Sequence, residues 1–195
     1  MRKIDLERDL NVFEGEIERI EEYARELQGS ESSDQAITWG HELAIIKCAV
    51  VLEKLTLRLI VAAINLDSRH LSDKLDVKFP KHISVEVALY LVTGGRYFDY
   101  KGGFGGLKGK IQDYVGKKHW LYESLASLDH KVMDQLIYLR NWAAHESPQS
   151  KVAALKALDR KAGGSAGAHL KSQGRMFGYT AELRKLPTEI RARFR

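Results

Sequence analysis

The chain has 195 residues, 44% of them apolar, and a formal net charge of +5, which suits one globular domain with a genuine core. A single cysteine, Cys48, excludes a disulfide framework and makes a reducing cytoplasm the expected setting. The most apolar stretch, Leu43 to Ile64, contains Lys47, Glu53, Lys54 and Arg58, which argues against a membrane span or a membrane partner.

No apolar run follows Met1-Arg2-Lys3, so no secretory leader is expected. The charge is uneven. Residues 163–195 hold seven Lys/Arg against Glu182 and Glu189, and the remainder of the chain balances. The expected organisation is a helical domain over 1–162 and a basic C-terminal extension over 163–195. That extension faces either a polyanion such as nucleic acid or only solvent.

Residues 3–28 read as a helix. Leu6, Leu10, Phe13, Ile17, Ile20, Ala24 and Leu27 form a heptad stripe that packs lengthwise on a partner helix, in this chain or in a second copy. Gly29 to Ser33 ends it, and Ser33 or Asp34 caps the next helix. Residues 35–65 form a longer helix, apolar around most of its girth and so central to a bundle, with Leu43, Ile46, Val50, Leu57 and Val61 along one side. Lys47, Lys54 and Arg58 make a narrow cationic stripe, either a solvated edge or a second phosphate-facing line. His41-Glu42 lacks the second histidine of a metalloprotease motif, because position 45 is Ile45. The seven histidines are scattered, and neither a metal nor a cofactor is expected.

Residues 66–82 read as a polar connection. Residues 83–93 fit both a strand and a helix, and the lack of a partner strand favours a short helix. Residues 94–118 are rich in glycine, yet the Walker and dinucleotide patterns both fail there. The expectation is a mobile loop in which Arg96, Tyr97, Tyr100, Lys101, Lys108 and Lys110 interleave cations with aromatics. Bases stack on rings and cations meet phosphates, which suits single-stranded RNA; the plainer alternative docks the aromatics on the core.

A short helix over 119–128 precedes the stretch that carries chemistry. Val132, Met133, Leu136, Ile137 and Leu139 mark the buried side of a helix over 129–146. It ends in Arg140-Asn141-Trp142-Ala143-Ala144-His145, and Pro148 places His145 near the last turn. An arginine for phosphate charge and an imidazole for proton transfer, held at one helix end, form a plausible phosphodiester-cleaving pair; both also favourably oppose the helix dipole. Ser150 is expected to cap a helix reaching Ala162. Gly163 to Gly167 reads as a hinge, and beyond it only 182–194 has helical character.

Arg140-x4-His145, with Asn141 after the arginine and Ala144 before the histidine, resembles the Arg-x4–6-His motif of HEPN domains. The likeness covers this motif and, loosely, the helical pattern of residues 34–162. It implies an all-α, HEPN-like bundle of four or five principal helices with short helices and the basic tail. Many such proteins are metal-independent endoribonucleases of toxin–antitoxin, CRISPR and phage-defence systems. They act as homodimers with two motifs facing one cleft, and some are held by an antitoxin. By this resemblance His145 does acid–base work, Arg140 meets the phosphate, and Asn141 orients the histidine or contacts substrate. Other HEPN domains are inactive scaffolds or RNA-binding and dimerisation modules. Members controlled by a nucleotidyltransferase often carry Tyr two residues after the histidine, where this chain has Ser147.

Overall fold

The computed structural model describes residues 5–194. Among them the chain is all-α, with ten α-helices, one short 3-10 turn and no strand. Helix α1, Leu6–Gly29, starts at Asp5, whose carboxylate accepts from Arg8 N at 3.1 Å. Its heptad stripe from Leu6 to Ala24 is buried within the chain, against α2 and α10. Helix α2, Asp34–Leu66, opens on a Ser33 cap and is the central element. Ile45, Cys48, Leu52 and Leu59 face the core without solvent contact, and Leu55 is buried beside them. Burial pushes the Cys48 thiol far above its ordinary value, so it is an inert core residue.

Of the side of α2 marked by Leu43, Ile46, Val50, Leu57 and Val61, only Val61 is buried in the core, and the first four lie at its rim. Leu43 is exposed, the other three are half-buried, and Trp39 extends the line outward. Lys47, Lys54 and Arg58 are exposed beside it, and Arg58 pairs with Asp9 of α1 at 2.7 Å.

Two stretches read as connections contain helices. Residues 66–82 include α3, Arg69–Leu75, tied down where Ser68 Oγ donates to Pro80 O at 2.6 Å. Residues 94–118 are a loop only as far as Gly102; Gly103–Val115 is helix α5. Phe104, Leu107, Ile111 and Val115 recur on one face and are buried, and that face outweighs the weak helix propensity of the glycines. Gly106 fits because its missing side chain leaves room for the Lys101 carbonyl. The ambiguous 83–93 stretch is helix α4, Val85–Thr93, capped by Ser84 and closed by Gly94 in the left-handed region at φ +61°.

Helix α6, Trp120–Ala126, leads into the motif helix α7, His130–His145, which is capped by Asp129 and ends at Glu146 in a left-handed conformation. Pro148 does more than break the chain: it begins α8, Pro148–Ala157, at the position where its missing N–H costs nothing. Ser147, and not Ser150, is the cap.

The reading of residues 163–195 as a hinged basic tail is corrected. Ala166–Lys171 is helix α9, then a 3-10 turn spans Ser172–Gly174, and Arg175–Arg193 is helix α10. Gly167 lies against the Thr38 carbonyl of α2 and donates its N–H to Glu42 Oε1 at 3.0 Å. A Cβ there would overlap that carbonyl, so Gly167→Ala is expected to cost about 3 kcal/mol, seen as a lowered urea midpoint.

The tail's charge is largely answered within the chain. Arg184 meets Glu21 at 2.8 Å, and Arg191 meets Glu14 at 2.7 Å and Glu7 at 3.1 Å, so α10 runs antiparallel to α1. Lys171 pairs with Asp34 at 2.5 Å. The acidic outer faces of α1 therefore complement the basic extension.

These pairs give folding a pH dependence. The Arg191 hydrogen bond holds the Glu14 carboxyl below its usual value despite partial burial. Burial alone would raise Glu21, but hydrogen bonds from Arg184 and Thr180 outweigh it and hold that carboxyl low as well. A carboxylate with a depressed folded pKa stabilises above its unfolded pKa and loses that contribution as pH falls through the folded value. Thermal midpoints should therefore fall below about pH 4.5, and a Glu14→Gln/Glu21→Gln double variant should show a shallower decline.

Candidate functional site

The α7 pattern delivers its polar residues at the helix end. Met133, Leu136, Ile137 and Leu139 anchor the helix in the core, which leaves Arg140 and Asn141 half-buried and His145 exposed in the last turn. Asn141 and His145 are four residues apart and share a face. Arg140 and His145 diverge by about 140° around the helix axis. Asn141 connects the two directions: Arg140 Nη1 donates to Asn141 Oδ1 at 2.8 Å. His145 has no side-chain hydrogen bond among the described residues and presents its ring to solvent.

Arg140 has a second partner that sequence reasoning did not single out. Its Nη2 lies 3.5 Å from Glu53 Oε1 of α2, and the same oxygen accepts from the Tyr100 hydroxyl at 3.1 Å. Burial, together with the Glu53 charge, raises the Tyr100 phenol well above its ordinary value, so it remains a donor. Arg140 Nε is buried without a partner, an unmet donor that leaves the guanidinium imperfectly satisfied. The only sequence signal for Glu53 was a carboxylate on the rim of α2, among Lys47, Lys54 and Arg58.

Glu53 also borders a groove of about 670 Å³ between α2, α4 and the 95–98 turn. Arg96 and Tyr97, two of the residues expected to contact RNA, line it, and Tyr97 is 85% exposed. Tyr90 of α4 adds a second exposed ring on the same wall. The other candidates separate from these. Tyr100 faces inward to Glu53, and Lys101 is exposed just before α5. Lys108 and Lys110 are on α5 and not in a loop, with their ammonium groups 5.2 Å from the Phe104 ring centre and 5.7 Å from that of Tyr114. The six residues do not form one continuous surface; the groove gathers Arg96 and Tyr97 with Glu53, and through Glu53 reaches Arg140.

The chain matches no family model, no curated protein and no solved structure. The HEPN resemblance rests on Arg140, Asn141, His145 and the helical pattern. Among the described residues no group of three or more His, Cys, Asp or Glu is placed to hold a metal, and no helix is long and apolar enough to cross a membrane.

Proposed function

We propose that this protein is a metal-independent endoribonuclease of a toxin–antitoxin or phage-defence system, with Arg140, Asn141 and His145 at its active site. The observation that carries this reading is the Arg140–Asn141 hydrogen bond, which links the guanidinium to the helix face that bears the exposed His145. RNA supplies its own nucleophile in the 2′-OH. A general base removes that proton, the cation offsets charge on the phosphorane, and an acid protonates the departing 5′-oxygen. The products are a 2′,3′-cyclic phosphate and a 5′-OH. The groove beside Glu53 fits a single strand, with bases on Tyr90 and Tyr97 and a phosphate at Arg96.

One imidazole does not serve easily as both base and acid, and a homodimer supplies two. The α1 heptad is buried within the chain, so Trp39, Leu43 and Ile46 of α2, which lie outside the groove, offer an apolar surface for a second copy. Wild-type protein incubated with total RNA in EDTA should yield fragments ending in cyclic phosphate, and His145→Ala should yield none. Equal cleavage by the two proteins removes His145 from the mechanism.

A second reading is favoured by the Glu53 contact. A guanidinium already paired with a carboxylate braces α7 on α2, as it does in a non-catalytic scaffold that binds RNA through the groove. Salt-sensitive RNA binding without cleavage by either protein selects that reading.

A further inference from the structure

Two cavities meet at one group of basic side chains on the Trp142 side of α7. The first, about 190 Å³, lies between Trp142, the end of α8, the Gly163–Ser165 turn and α9. The second, about 420 Å³, is bounded by Gln135 of α7 and Tyr179 of α10. Arg160, His169 and Arg175 border both.

This group lacks a counter-charge. Neither cavity wall contains a carboxylate. Asp159, next to Arg160, is engaged by Lys131 at 2.5 Å. Arg160 makes no side-chain hydrogen bond or ion pair among the described residues. Arg175 is braced only by neutral acceptors, with Nη1 donating to His169 O at 3.3 Å and Nη2 to Gln173 Oε1 at 2.9 Å. Both ring nitrogens of His169 are shielded from solvent and unpartnered. Burial, then the charges of Arg175 and Arg160, push this imidazole down to about 4. It is therefore neutral at pH 7, with one N–H to donate. Ser165 Oγ accepts from Ala168 N at 3.1 Å and keeps its own proton for a ligand. Two like charges and two idle ring nitrogens around one partly enclosed space are unfavourable until an anion enters.

We propose that this cavity binds a phosphate group, held between the Arg160 and Arg175 guanidiniums with His169 and Ser165 as further donors. Paired guanidiniums match a tetrahedral oxyanion, because each offers a planar fork of N–H groups. At about 190 Å³ the first cavity is smaller than the ~300–1,000 Å³ of sites that enclose a drug-sized ligand, so the occupant is small. The adjoining cavity admits the remainder of a small ester. The shared chemistry is thus inorganic phosphate or a small phosphomonoester. The site is separate from the proposed nuclease centre, since none of Arg140, Asn141 or His145 borders it.

The test is an NMR titration of the His169 ring, assigned by its loss in His169→Gln, with inorganic phosphate and with ribose 5-phosphate, each to about 10 mM. A bound dianion favours the imidazolium, so the wild-type resonance should move and saturate, and its apparent pKa should rise. Arg160→Gln alters an exposed side chain, so its melting temperature in chloride should equal the wild-type value while phosphate affinity falls at least about tenfold. Tighter binding of ribose 5-phosphate assigns the site to an ester, and equal or tighter binding of inorganic phosphate assigns it to the free ion. No shift with either ligand overturns the proposal. So does a shift reproduced by chloride of equal ionic strength, or one of equal affinity in Arg160→Gln.

Discussion

Deleting residues 163–195 should leave a chain that no longer unfolds cooperatively. Leu170, Met176, Leu183, Leu186 and Ile190 are buried to 1% exposure or less in the same core as α1, α2 and α7. Each such side chain contributes about 2 kcal/mol of burial, so the five together contribute about 10 kcal/mol. That is comparable with the whole stability of a domain, about 5–15 kcal/mol. The truncation also uncovers the part of α1 that packs on α10 and leaves Glu21, itself buried, without Arg184. Residues 1–162 should therefore lack a sigmoidal thermal transition by circular dichroism and should bind a hydrophobic dye. A sharp transition near the wild-type temperature would show that the extension is a dispensable tail.

The second large effect separates two residues of the motif by what each one touches. His145 is exposed and has no side-chain partner among the described residues, so His145→Ala should leave stability within about 0.5 kcal/mol of wild type. On the nuclease reading the same change should lower RNA cleavage at least about 10³-fold, the upper part of the range for general acid–base catalysis. Arg140→Ala should abolish cleavage too, but it should also destabilise by about 1–3 kcal/mol, because Glu53 would keep only the Tyr100 hydroxyl in a half-buried position. Chemical denaturation and single-turnover cleavage of the two variants give both quantities. An Arg140→Ala protein as stable as wild type would mean that the Glu53 contact contributes nothing. A large stability loss in both variants, with no cleavage by wild type, would move the motif into the scaffold reading.

Elements whose signal is local were legible without the fold. The heptad of α1, the apolar girth of α2 and the buried side of α7 are periodic over several turns, and they were readable because a helix repeats its own face every 3.6 residues. The placement of His145 in a last turn was legible for the same reason, through Pro148 and the end of the apolar period. Helix α5 was hidden because glycine counts suggested a loop, while the four apolar residues that form its face have a period only against a core they do not specify alone.

Charge pairing, by contrast, is set by contacts between elements far apart in the chain. Arg184 reaches Glu21 across 163 positions, and Tyr100 reaches Glu53 across 47. The seven cations of 163–195 therefore read as an extension facing a polyanion or solvent, whereas Arg184 and Arg191 are answered by α1 and Lys171 by α2. The same holds for the groove and for the Arg160–His169–Arg175 group. Whether a charge is spare depends on what the fold brings beside it, and that follows from packing between distant elements and not from local spacing.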